Sequence, residues 1–214
     1  RDCYQFIKQP GHEIVRPDAE LTELLVNSGY TLLCEAQKPE NIICTYSPRV
    51  HNQPPEKAWI KDWETPHPTL LVNNYGKGKV VYFANQPDQS NFDMGHPDLR
   101  NTLNRSIRYL IQPDIPVSTN APESVHIGLT QSYSHPGRYV CSLVNTSTAP
   151  KRPMRTLIPV RDIEVTLRLD GRSMKKYSVL RSQGDVELSH NQNEIRFKVR
   201  QLDDFCALHI EMNT

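Results

Sequence analysis

The chain has 214 residues, 37% of them hydrophobic, and a formal net charge of +1 from 25 basic and 24 acidic side chains. That length suits one large or two small domains. The balanced charge offers no basic excess for nucleic acid and no acidic solvating tail, and no stretch approaches the roughly 18 apolar residues of a membrane span.

Residues 1–67 are the least regular part. The chain opens on Arg1 rather than methionine, which reads as a processed or excised start. Residues 19–26 (AELTELLV) read as a short helix, broken by Asn27-Ser28-Gly29. Residues 30–34 (YTLLC) and 41–46 (NIICTY) read as strands. Residues 47–68 form a long proline-rich loop that holds both tryptophans, Trp59 and Trp63. A loop of this length in a compact domain usually has a job or a contact.

Residues 68–111 are the best-marked stretch: strand, glycine turn, strand, polar loop, helix. Residues 70–72 and 80–84 are short apolar runs, and Gly76 and Gly78 bracket Lys77 between them. Pro97 suits the first helical turn and Asp98 complements its positive end. Leu99, Leu103, Ile107, Leu110 and Ile111 fall at helical spacing on one face, and Arg100, Arg105 and Arg108 take the other. Pro113 and Pro116 close the helix.

Residues 112–123 (QPDIPVSTNAPE) read as a linker, and the pattern changes after it. Val125, Ile127 and Leu129 alternate with polar residues, as do Ile163, Val165 and Leu167, then Ile195, Phe197 and Val199, then Cys206, Leu208 and Ile210. Residues 170–173 (DGRS) supply a turn. Short strands with one apolar face describe an antiparallel β-sandwich. Arg196, Lys198 and Arg200 read as its solvated face. The expected organisation is an α/β domain over residues 1–114 and a β-sandwich over residues 115–214. With few helices to alternate with its strands, the first domain is expected to be irregular or incomplete at its N-terminal side.

Candidate chemistry is sparse. The five cysteines are widely spaced, with no CxxC pair, and read as buried free thiols; a Cys34–Cys44 bridge between neighbouring strands is the alternative. The eight histidines show no HxxxH or HExxH pair, so no metal set is expected. His96 reads as a cap of the helix that starts at Pro97. Asp62, Glu64, Asp88 and Asp93 lie in predicted loops and are the acids to test as a hydrolytic pair. Trp59 and Trp63 are four apart, beside Lys61, Asp62 and Glu64. Their rings suit the apolar face of a sugar with polar groups at the rim, or else an anchor to the domain body or a neighbouring subunit. Trp59, Trp63 and Glu64 are thus the candidate carbohydrate contacts. Asn145-Thr146-Ser147 matches a glycosylation sequon in a predicted loop.

The order of YGKGKVVYFANQPD, GHPDLRNTLNRSIRYL, APESVHIGLTQS, YVCSLVNTS and PVRDIEVTLRL resembles a known arrangement. It is similar to the region after the catalytic barrel in bacterial glycoside hydrolases related to the family 42 β-galactosidases. There a glutamine-amidotransferase-like trimerisation domain precedes a small β-sandwich. The resemblance is strongest over residues 65–170. It implies a flavodoxin-like α/β domain, a parent chain whose barrel carries the hydrolytic acids, and a homo-oligomer. It also implies a bacterial protein, cytoplasmic or exported, with no cofactor in this region. No cysteine sits in a glycine-flanked elbow, so amidase chemistry is not implied.

Overall fold

Antiparallel pairing organises the whole structure. The computed structural model describes residues 3–15, 23–50, 53–112, 115–148, 156–168, 172–191 and 193–213. It divides into two units, Arg1–Pro113 and Asp114–Thr214.

The first unit contains β1 (Cys3–Ile7), β2 (Leu24–Asn27), β3 (Ile42–Ser47), β4 (Pro68–Tyr75), β5 (Gly78–Phe83), α1 (Pro87–Met94) and α2 (Pro97–Ile111). The sheet order is β2-β1-β3-β4-β5, with every neighbour antiparallel. This overturns the flavodoxin-like α/β expectation. A parallel doubly wound sheet needs a crossover helix between successive strands. Here α1 and α2 follow each other after β5, and β4 reaches β5 through a two-residue turn. Gly76 has φ +59 at the first turn position, the pattern of a type II′ hairpin, which suits the twist of its strands.

The helix expected at residues 19–26 is also corrected. Leu24–Asn27 is a strand paired with β1, burying Leu25 and Asn27 in alternation, and residues 19–22 lie outside the described residues. Pairing has overridden helix propensity there. Residues 30–34 form no strand, although the Leu32 N–H donates to the Ala84 carbonyl at 2.7 Å. The polar loop after β5 is instead helix α1, started by Pro87 and ended by Gly95 in the left-handed conformation, φ +61.

Helix α2 is where the sequence places it, with His96 as N-cap and its Nδ1 accepting from the Asp98 N–H at 3.4 Å. Its buried face is displaced from the apolar stripe. Leu99, Thr102 and Ser106 are buried, while Ile107 is 56% exposed and Leu110 and Ile111 are exposed as well. Ser106 donates its hydroxyl to the Thr102 carbonyl at 2.8 Å, so two small polar residues face inward without an orphaned donor. Tyr109 completes the contact. Its ring packs 5.5 Å from that of His12, and the Lys79 ammonium sits 4.2 Å from its centroid. Burial lowers the His12 pKa despite the opposing Glu13 charge, and its Nδ1 accepts from the Ile14 N–H at 3.3 Å. The core beneath is Ile7, Ile14, Val15, Leu25, Ile43, Cys44 and Leu70.

The second unit is the expected β-sandwich. It contains β6 (Val117–Thr119), β7 (Val125–Gln131), β8 (Arg138–Asn145), β9 (Val160–Arg168), β10 (Met174–Arg181), β11 (Val186–His190), β12 (Glu194–Leu202) and β13 (Phe205–Met212). Two four-stranded sheets, β10-β13-β8-β7 and β11-β12-β9-β6, carry the alternating residues into one core. Ile163, Val165, Ile195, Phe197, Val199, Leu208 and Ile210 all lie there. The DGRS turn falls mostly outside the described residues; only Arg172 and Ser173 are within them. Among the described residues no helix is long and apolar enough to cross a membrane.

All five cysteines are free; Cys3, Cys44, Cys141 and Cys206 are buried and Cys34 is half-buried. The Cys34–Cys44 bridge is therefore not formed: the Cys34 thiol points to the Pro68 carbonyl at 3.5 Å. Burial raises the pKa of the Cys44 and Cys206 thiols, for Cys206 against an opposing hydrogen bond with Ser182, and burial with the neighbouring Cys206 pushes Cys141 up to about 12. A protonated, buried thiol is a poor nucleophile. Titration with a thiol-reactive dye at mildly alkaline pH should label Cys34 fast and Cys44, Cys141 and Cys206 only on unfolding. Rapid native labelling of those three would show that the cores are open.

The sequon at Asn145 is corrected too. Asn145 closes β8 and is only 3% exposed. Its Nδ2 donates to the carbonyls of Ile158 at 2.8 Å, Leu202 at 3.2 Å and Asp203 at 2.8 Å. The nitrogen that a glycan would occupy is thus committed to the fold.

Candidate functional site

The tryptophan loop is a built feature. Its two stems are stitched together where β3 ends and β4 begins. The Tyr46 N–H donates to the His67 carbonyl at 2.7 Å, and the Thr65 hydroxyl donates to the Tyr46 carbonyl at 2.6 Å. Ser47 ties in the middle of the loop by donating to the Asp62 carbonyl at 3.1 Å. A single 3-10 turn, Pro55–Lys57, reverses the chain, its start preset by consecutive prolines. Both tryptophans remain accessible, Trp59 at 57% and Trp63 at 46%.

Trp59 borders a recess of about 200 Å³, whose other walls include Arg49, Lys57, Ile60, Lys61 and Asp62. The structure therefore brings Trp59, Lys61 and Asp62 together, as the sequence spacing suggested. Trp63 and Glu64 are not among the lining residues. Glu64 accepts from Lys8 at 2.7 Å, in an ion pair half-exposed on both sides. Such a pair contributes about 0–1 kcal/mol; its effect here is to hold Glu64 toward β1. Arg49 and Lys57 were missed by sequence reasoning. They lie 10 and 2 positions before Trp59: Lys57 is as near in sequence as Lys61, whereas Arg49 joins the same wall from before the turn at Pro55–Lys57.

The acids weighed as a hydrolytic pair are dispersed. Asp88 sits in the first turn of α1. Asp93, also on α1, accepts from the Ser28 hydroxyl at 3.4 Å. Asp62 lines the recess and Glu64 pairs with Lys8. Among the described residues no three His, Cys, Asp or Glu side chains stand close enough to hold a metal ion.

The charged face of the sandwich is more ordered than a merely solvated one. Lys198 lies 3.3 Å from Asp162 and 3.5 Å from Glu164, Arg200 lies 2.7 Å from Glu187, and Arg196 pairs with Glu194. This ladder crosses β11, β12 and β9 beside a groove of about 370 Å³. Its charges satisfy one another. The Asp162 carboxyl is held below its ordinary range, chiefly by the hydrogen bond and charge of Lys198. Folding thus favours ionised Asp162. Its contribution is present above the ordinary carboxylate pKa of about 3.9 and is lost as pH falls through the lowered value. Asp162→Asn suits the left-handed backbone there, φ +53, and should flatten the loss of stability seen on acidification below about pH 4. Parallel acid-unfolding curves for the two proteins would contradict this.

No protein-family model matches the sequence, and no curated protein matches it. Among solved structures, the fold is similar to that of alpha-L-fucosidase isoenzyme 2 from Paenibacillus thiaminolyticus, with a TM-score of 0.72 and 17% sequence identity. The similarity covers 100% of this chain and 32% of the fucosidase chain. At that identity the likeness establishes fold and not activity. The link to family 42 β-galactosidases rests on sequence resemblance alone; what the comparisons support is a fold shared with about a third of a fucosidase.

Proposed function

We propose that this chain is a non-catalytic accessory region of a glycoside hydrolase, one that buries surface against the catalytic barrel of its parent and supports assembly with sister copies. The observation that carries this reading is the full-length fold match to 32% of a fucosidase chain. Exposed apolar side chains on the first unit give it a physical basis. Tyr30, Leu32 and Leu33 are exposed on the segment after β2, and Phe92 on α1 is 89% exposed. Ser28 holds the two elements together, its N–H donating to the Ser90 hydroxyl at 2.9 Å. Exposed apolar clusters of this kind mark interaction surfaces. In the parent protein, the triple change Leu32→Ser, Leu33→Ser, Phe92→Ser should lower the melting temperature or the mass seen by light scattering. A parent unchanged in both would count against burial of this surface.

A second reading is favoured by the accessible Trp59 beside its recess: a carbohydrate contact, with the pyranose face laid on the indole. Binding to a glycan array, lost in Trp59→Ala, would support it. Trp63 and Glu64, the other candidate contacts, stand outside that recess.

A further inference from the structure

The outward face of the β11-β12-β9 sheet carries polar side chains in two rows. Strand register sets Glu187, Lys198 and Glu164 side by side in one row, and Ser189, Arg196 and Thr166 in the next. Both rows wall the groove of about 370 Å³. That volume falls within the roughly 300–1,000 Å³ of small-molecule sites. Val165 and Phe197, which alternate with these residues, are locked into the core, so the rows stand on a rigid backbone.

Two properties of the rows select a class of ligand. Their charges cancel, two carboxylates against two cations. A ligand of either net charge would therefore meet a like charge, and such contacts are costly. The rows are also ordered in advance. Lys198 is held by Asp162 and Glu164, Glu187 by Arg200, and Arg196 by Glu194. Side chains fixed beforehand lower the ordering cost of binding.

We propose that this groove binds an uncharged saccharide. The ion pairs engage Oε1 of Glu164 and of Glu187, and Oε2 of each accepts from a sugar hydroxyl. Arg196 and Lys198 donate to ring and hydroxyl oxygens, and the hydroxyls of Thr166 and Ser189 do either. The aliphatic stems of Arg196 and Lys198 offer apolar surface to the ring between these polar ends. Sugar hydroxyls both donate and accept, so a set of paired donors and acceptors with no net charge matches them. The site lies wholly on the second unit and rests on neither the Trp59 reading nor the accessory role.

The test screens the 214-residue chain against an array of neutral, uronate-bearing and amino-sugar oligosaccharides, then titrates the tightest of each class calorimetrically. A neutral oligosaccharide should bind at least as tightly as any charged one. Its affinity should change by less than about twofold between low salt and about 0.15 M salt. Arg196→Met keeps the stem and removes the donors, and should weaken binding about tenfold or more. Thr166→Val keeps the shape, suits a strand and removes one hydroxyl, and should weaken it about fivefold. Urea midpoints close to that of the unsubstituted chain show both variants folded. Binding of no neutral oligosaccharide, a charged one held tenfold tighter, or affinity unchanged in both folded variants would overturn the proposal. Binding lost in Trp59→Ala but kept in Arg196→Met would also overturn it, and would assign the sugar to the Trp59 recess instead.

Discussion

Phe197→Ala should destabilise the sandwich unit by about 3–5 kcal/mol, read as a fall in the urea midpoint at unchanged slope. Phe197 is only 2% exposed and sits mid-strand on β12, opposite Leu188 of β11 and Val165 of β9. Its ring bridges three strands of one sheet and faces a core closed by Leu208 and Ile210 of the other. Truncation removes the buried ring and leaves a cavity that two paired sheets cannot collapse around, so the transfer and cavity costs add. Domains of this size are stable by about 5–15 kcal/mol, so the loss takes a large fraction of the total. A change under about 1 kcal/mol would mean the ring is not enclosed as described.

Asn145→Ala should cost about 3 kcal/mol, although it removes only a small polar side chain. One amide satisfies three carbonyls, on residues 158, 202 and 203, and its Oδ1 accepts from the Ser147 N–H at 2.9 Å and from the Ser147 hydroxyl at 2.6 Å. It therefore fixes the end of β8 to the turn between β12 and β13. Removing it orphans several buried groups at once, the costly direction for a hydrogen-bond deletion. Asn145→Asp should be no milder, because a carboxylate has nothing to donate to those three carbonyls. Thermal melts of both variants check this; an Asp variant as stable as the parent would show that the amide nitrogen is not the keystone.

The sandwich was legible because its strands alternate cleanly. Ile195, Phe197 and Val199 point inward and their basic neighbours outward, and period-2 patterning needs no knowledge of the partner strand. The hairpin at Gly76 and the caps of α2 were legible for a similar reason, since a turn or helix end is decided by its own few residues. The first unit was not. Leu24 to Asn27 fits both a helical and an extended period, and the pairing with β1 that decided it joins residues 18 to 24 positions apart, from Phe6 with Leu24 to Cys3 with Asn27. The α1 segment, PDQSNFDM, has no apolar face to betray it, and only Pro87 and Gly95 mark its ends. For α2 the spacing was right and the face was not. The small Thr102 and Ser106 turn inward while Ile107 stays out, a choice made by packing rather than by period. The site was half legible: Trp59, Lys61 and Asp62 follow from adjacency, as Lys57 two positions before Trp59 also could have, whereas Arg49 joins them only through the fold.

The most direct measurement is turnover of aryl glycosides by the isolated chain, beside Asp62→Asn and Glu64→Gln variants as controls. A hydrolytic centre of the usual kind needs two carboxyl groups flanking one bond, and these two acids face a recess and a lysine respectively. No turnover above the buffer rate is expected for any of the three proteins. Hydrolysis at an enzyme-like rate, abolished by either substitution, would contradict it.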